Sequence, residues 1–173
     1  MEETNIKIHT IEEITAPFDS SSKGLSQYMR GRLTSARIST MDVMNIVLVL
    51  QKLMDTEFSP EVTFCDDKYC ESEDLKKRYV QIAQNGQGDS WLLELENGLI
   101  SFFDHNNSAV VPIFIDFWQF VQLADLLSQY EVMIDEADDN EVDDKEPIYK
   151  QMEMLMRAIH KDLPENYPFY LFE

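Results

Sequence analysis

The sequence predicts an α+β fold: an antiparallel β-meander from about residue 78 to 115, with helices packed on it in a single domain. Three observations predict it. Asn97-Gly98 separates two apolar runs, Ser90–Glu96 and Leu99–Asp104, and this dipeptide supplies the positive φ angles that a tight hairpin turn needs. A third extended run, Ala109–Ile115, follows at once. Beyond it Phe117, Phe120, Val121, Ala124 and Leu127 recur at helical intervals. A chain of 173 residues that is 44% apolar, with 10 Phe, 7 Tyr and 2 Trp, has core material for one domain of ordinary size.

The elements follow in order. Ile6, Ile8 and Ile11 alternate, which fits a strand or an extended arm, and residues 17–24 read as a loop. Ser39-Thr40 offers an N-cap, with Asp42 in the first turn where negative charge suits the helix dipole. The spacing predicts a helix from about Met41 to Asp55. Apolar side chains cover nearly its whole circumference, leaving Asn45, Lys52 and Asp55 as a narrow polar stripe. Such a helix is central, or else meets a partner.

Residues 75–84 end as a strand, and Asn85-Gly86-Gln87-Gly88-Asp89 turns the chain. A two-residue turn at Asn97-Gly98 then pairs Glu96 with Leu99, Leu95 with Ile100, Leu93 with Phe102 and Trp91 with Asp104. One face carries Trp91, Leu93, Leu95, Ile100 and Phe102, and is the core face. The other carries Leu92, Glu94, Glu96, Leu99, Ser101, Phe103 and His105. That face is mixed, and is expected to be partly exposed or covered by something polar.

His105-Asn106-Asn107-Ser108 makes a further turn, and Pro112 marks the third run as an edge or a bulge. Asp116 and Gln119 have capping-box spacing, and Ile115 and Phe120 the spacing of a hydrophobic staple. The helix they start is expected to end near Gln129. Residues 131–146 hold nine acidic residues against one Lys and read as a solvated loop. Pro147 opens a last helix with an inward stripe of Ile148, Met152, Leu155, Met156, Ile159 and Leu163. Leu163–Pro168 breaks it, and Phe169–Phe172 is expected to dock on the body.

Charge narrows the function. With 33 acidic and 14 basic residues the formal net charge is -19. Such a surface repels nucleic acid and anionic membranes and favours basic partners. Arg30, Arg32 and Arg37 have only Tyr28 among them as an aromatic, too little for a nucleic-acid patch. The longest uninterrupted apolar run, Ile46–Leu50, is far short of a membrane span. The opening Met1-Glu2-Glu3-Thr4 is acidic and unlike a secretory signal, so a cytoplasmic location is the expectation. Cys65 and Cys70 lack a second pair to complete a zinc site and are expected to be reduced thiols.

Catalytic motifs are absent from the sequence. The three histidines, His9, His105 and His160, are far apart, and Gly86-Gln87-Gly88 lacks the rest of a dinucleotide fingerprint. Asp89, Asp104 and His105 form the best catalytic constellation. By strand alternation, however, Asp104 and His105 point to opposite faces, which argues against a shared metal or an acid–base pair. No catalytic residue, metal or cofactor is expected.

Several of these pieces occur together in one known family. Ile82–Asp89, with its Gly88-Asp89 turn, is followed by Leu92-Leu93-Glu94-Leu95, then by Ile100–His105 ending in Asp104-His105, then by the capped helix Phe117-Trp118-Gln119-Phe120-Val121. In this order and spacing the block Tyr79–Leu127 resembles the SUKH superfamily, which includes fungal cell-wall-assembly regulators and bacterial immunity proteins of polymorphic toxin systems. The family usually opens with a helix, a Leu-Pro segment and a further helix. Residues 1–60 lack that pattern, and a Leu-Pro-x-x-Tyr string lies instead at Leu163–Tyr167.

The resemblance implies a family-like core over about residues 75–130. It also implies a non-enzymatic protein-binding module, in which Gly88, Asp89, Asp104 and His105 hold turns, as Asn97, Gly98 and Asp116 do on their own showing. One form of that module is an immunity protein whose acidic surface fills the basic cleft of a toxin. Glu94, Glu96 and the run Asp135, Glu136, Asp138, Asp139, Asp143 and Asp144 are the expected contact residues. The alternative is a regulator or scaffold of the cell-wall-assembly type that assembles through helix 41–54. The oligomeric state is open.

Overall fold

The computed structural model describes residues 5–18, 25–67 and 73–172. Cys70 lies outside the described residues, and so does most of the loop expected over 17–24. The architecture is α+β, a six-stranded antiparallel sheet flanked by helices. The strands are β1 (Glu57–Ser59), β2 (Val62–Phe64), β3 (Tyr79–Gln84), β4 (Ser90–Glu94), β5 (Leu99–Asp104) and β6 (Ala109–Asp116), and their spatial order is their chain order. The meander thus starts some twenty residues before the predicted one, with β1 and β2.

The helices are α1 (Ile11–Thr15), α2 (Gln27–Thr34), α3 (Thr40–Leu53), α4 (Glu73–Arg78), α5 (Phe117–Asp139), α6 (Glu146–Ile159) and α7 (Leu163–Asn166). Residues 5–10 form an extended arm along α5. Gln129 binds both polar groups of the Lys7 backbone, at 3.1 and 2.9 Å, and His9 Nδ1 lies 2.7 Å from Asp125. At its end Thr10 and Glu13 close a capping box on α1.

The Asn97-Gly98 turn is wider than predicted. Pairing ends at Leu93 opposite Ile100, and Trp91 faces Phe102 instead of Asp104. The cause is Leu95. Its N–H donates to the Arg78 carbonyl at 2.8 Å and its carbonyl accepts from the Arg37 amide at 2.8 Å. Leu95 is therefore held by the last residue of α4 and the chain after α2, not by β5, and the turn closes with Gly98 N–H on the Glu94 carbonyl. The shift is two residues, so side-chain parity survives. Trp91, Leu93, Leu95, Ile100 and Phe102 are all buried in the main core. There Trp91 meets Phe102 edge-on at 4.9 Å and Phe120 of α5 at 5.2 Å.

The other face is closed over its middle. Leu92, Ser101 and Phe103 are buried with Tyr79, while Glu96 and His105 are exposed. Polar groups do part of the covering. Arg32 reaches the Tyr79 carbonyl and pairs with the buried Asp67 at 3.1 Å.

Pro112 lies on edge strand β6, and the Asp116–Gln119 capping box is formed in both directions, at 2.8 and 2.9 Å. The predicted end of α5 near Gln129 and the loop over 131–146 are both corrected. The helix runs on to Asp139 because its apolar stripe does not stop: Leu127, Tyr130, Ile134 and Ala137 continue it at three- and four-residue steps, with Tyr130 and Ala137 buried. It ends in a Schellman arrangement, Val142 N–H on the Ala137 carbonyl and Glu141 N–H on the Asp138 carbonyl, with Glu141 at φ 54°.

Helix α3 is not central. Val43, Ile46, Leu50 and Leu53 are buried, but Met44 and Leu48 are 63% and 54% exposed. On α6 and α7, Met152, Met156, Ile159 and Leu163 face inward. The C-terminal segment docks as expected, with Phe169, Leu171 and Phe172 against the core and the Tyr130 hydroxyl donating to the Leu171 carbonyl. Among the described residues no helix is long and apolar enough to cross a membrane.

Candidate functional site

One end of the sheet gathers the polar residues singled out in the sequence. The β3–β4 turn, the β5–β6 turn and the β1–β2 turn meet there, with Gly86 N–H on the Pro60 carbonyl and Trp91 Nε1 donating to the Glu61 carbonyl at 2.8 Å.

Asp89 is the knot of this end. Its Oδ1 accepts from the His105 backbone amide at 3.1 Å and lies 2.6 Å from His105 Nδ1, and its Oδ2 accepts from Asn85 Nδ2 at 3.0 Å. Asn85 Oδ1 in turn accepts from the amides of Gln87 and Asp89. Gly88, at φ 93°, lets the chain double back under the His105 ring. Burial pushes the Asp89 carboxyl up, but the donors from His105 and Asn85 outweigh it and hold the group below the usual carboxylate range.

The expectation that Asp104 and His105 point apart is corrected. His105 lies past the end of β5, in the turn, where strand alternation no longer holds. The chain bends it back, and one ligand-type atom each of Asp89, Asp104 and His105 lie within 4.8 Å of one another. All four carboxylate oxygens are already used by the turns. Asp104 accepts from the Asn106 amide at 2.9 Å and from Asn107 Nδ2 at 2.8 Å. The cluster ties the β3–β4 and β5–β6 turns together and fixes one imidazole with Nδ1 held by a carboxylate.

Beside this knot is a groove of about 420 Å³ between the β1–β2 turn, the second half of α5, the start of α6 and the C-terminal segment. Its charged lining is Glu61, Glu131, Asp138 and Lys145, and Tyr130, Tyr149 and Tyr170 give aromatic walls. Burial raises the Glu61 carboxyl, against a hydrogen bond from Asn85 and with repulsion from Asp89 and Glu131 adding to it. Burial also raises Glu131, helped by Asp135 and Glu57. Burial pushes the Tyr130 hydroxyl up to about 12. Lys145 is bound by Asp138, the only groove carboxylate with a cation partner among the described residues.

The predicted contact residues fall in two places. Asp135, Glu136, Asp138 and Asp139 are exposed on the last turns of α5, and Asp143 and Asp144 are exposed in the segment that follows, next to the groove. Glu94 and Glu96 lie at the opposite end of the domain. The hairpin tip adjoins the start of α5, where Leu99 pairs with Asp116, and a 23-residue helix spans about 35 Å. There Glu94 pairs with Arg78 at 3.6 Å, and both glutamates line a cleft of about 260 Å³ with Arg37 and Lys77. That surface is of mixed charge.

Glu61, Tyr130, Glu131, Tyr149 and Tyr170 were not singled out in the sequence. Only Tyr130 left a local signal, as the next step of the α5 stripe. The rest are assembled by contacts distant along the chain. The chain matches no protein-family model, no curated protein and no solved structure.

Proposed function

We propose that this chain is a non-enzymatic, cytoplasmic protein-binding module of the SUKH type that engages a basic partner through the acidic end of α5. The observation that carries this reading is local. Asp135, Glu136, Asp138, Asp139, Glu141, Asp143 and Asp144 stand exposed at the end of α5 and in the segment after it, with Asp138 lining the groove and Lys145 the only cation within that run. Charge of one sign at one place steers an oppositely charged partner and fixes its orientation. An immunity protein that fills the basic cleft of a toxin is the most specific form of the reading.

The test is co-expression with a toxin encoded next to this gene. Protection of growth is expected from the natural chain. It is expected to be lost when Asp135, Glu136, Asp138 and Asp139 are replaced together by Asn or Gln, and the complex is expected to weaken as salt screens the charges. Undiminished protection by the neutralised variant refutes the acidic-surface reading.

A second reading, a scaffold that assembles through α3, rests on the exposed Met44 and Leu48, which line an apolar cleft with Val43 and Val47. Light scattering at high protein concentration decides it. A species larger than the monomer that Leu48→Glu dissociates supports it, and a monomer at all concentrations ends it.

A further inference from the structure

We propose that the groove between α5, the β1–β2 turn and the C-terminal segment is a socket for a cationic side chain, arginine or lysine, carried by a protein partner. This rests on the reading of the chain as a module for basic partners and names the place and chemistry of the contact.

Four observations point there. Glu61 and Glu131 line the groove, and neither has a cation within ion-pair distance among the described residues. Both sit where burial and like charge work against ionisation, and a positive group in the groove would offset that by direct attraction. The walls are tyrosines. Tyr170 is 74% exposed at the mouth, and aromatic faces attract ammonium and guanidinium groups. Finally, the groove already holds one ammonium of the chain's own: Lys145 is bound to Asp138 and lies close enough to Tyr149 for their charges to interact.

A metal ion fits less well. No three groove carboxylates converge, since among the described residues the one group of three or more ligand side chains with atoms within 4.8 Å is Asp89, Asp104 and His105, outside the groove. A volume of about 420 Å³ with aromatic walls suits an extended organic cation.

The probe is a fluorescent hexa-arginine peptide, titrated into the full chain at low salt by anisotropy, with thermal melting to show that each variant is folded. Glu61→Gln combined with Glu131→Gln is expected to weaken binding about ten-fold, because two desolvated carboxylates lose their charge. Asp143→Asn with Asp144→Asn removes the same charge outside the groove and is expected to cost about two-fold or less. Tyr170→Ala is expected to lose about three-fold, and Tyr170→Phe to keep the natural affinity, because the aromatic face and not the hydroxyl makes the contact. Equal losses in the two charge pairs, or no loss in Tyr170→Ala, overturn the socket while leaving an acidic protein-binding surface intact. No binding of the peptide by the natural chain overturns both.

Discussion

Replacing Asp89 with alanine tests whether the Asp89–His105 pair is a structural tie. The side chain is almost wholly buried and accepts from three donors: the His105 amide, the His105 ring and Asn85 Nδ2. The three do not weigh equally. Asn85 is buried, so its freed donor bears a desolvation cost of about 1–2 kcal/mol. The His105 side chain is 39% exposed, so water takes up most of what its ring loses, while its amide loses a charge-assisted bond of about 1.5 kcal/mol. The total expected is about 3 kcal/mol, in the range found when a buried hydrogen-bonded network is broken. Equilibrium urea unfolding reads it. With a slope of about 2 kcal/mol/M for a domain of this size, the midpoint falls by about 1.5 M. The sign with pH is also fixed. The Asp89 carboxyl is held low in the folded chain, so its contribution is present above the unfolded carboxylate range and is lost as pH falls through the folded value. The gap between natural chain and variant therefore closes in acid. A midpoint shift below about 0.25 M, or a gap that does not change on acidification, refutes the tie.

Gly98→Ala is expected to destabilise by about 2 kcal/mol in the same assay, because φ is 73° there and an added Cβ would meet Ile38 at 2.9 Å. Glu141→Gly is expected to stabilise by about 1 kcal/mol, since Glu141 closes α5 at φ 54°, a conformation that glycine adopts freely. Its thermal midpoint is expected to rise by about 3 °C. Glu61→Gln and Glu131→Gln are expected to raise the urea midpoint at neutral pH. Both carboxyls are raised in the folded chain, so the folded state gains stability as pH falls from the folded value toward the unfolded one, and an amide supplies that relief at any pH. A lowered midpoint in either variant contradicts it.

Much of the middle of the fold was legible because its signals are local. The Asp116–Gln119 box is a spacing of three residues with a mechanism, and it formed as read. The face assignment of β4 and β5 survived a wrong turn length because side chains alternate with period two and the error was even. What failed did so for non-local reasons. Leu95 was read as a partner of Ile100, but the Arg78 carbonyl and the Arg37 amide claim it, and neither is visible from the hairpin. The acidic composition after Gln129 masked a stripe whose last members, Ile134 and Ala137, are few and small. The groove left almost no trace in the sequence, since Glu61, Glu131, Tyr149 and Tyr170 come from four separate elements.

Two neighbouring carboxylates at one end of the sheet are treated in opposite ways, and the contrast separates structure from binding. Asp89 and Glu61 both approach Asn85 and repel each other across the turns. For Asp89 the donors outweigh burial and the charge is held in place. For Glu61 burial outweighs its single donor, and no cation lies within ion-pair distance of it among the described residues. A side chain serving stability alone would be neutral at Glu61, since a glutamine keeps the acceptor for Asn85 and drops the repulsion. Glu131 repeats the pattern one element away, pressed by Asp135 and Glu57. Two carboxyls are thus raised in one groove, beside turns whose four Asp89 and Asp104 carboxylate oxygens are all hydrogen-bonded, and each works against stability at neutral pH. Under the proposal made above, a positive group brought by a partner returns it, so that Asp89 serves as a tie within the chain and Glu61 with Glu131 as the contact beyond it.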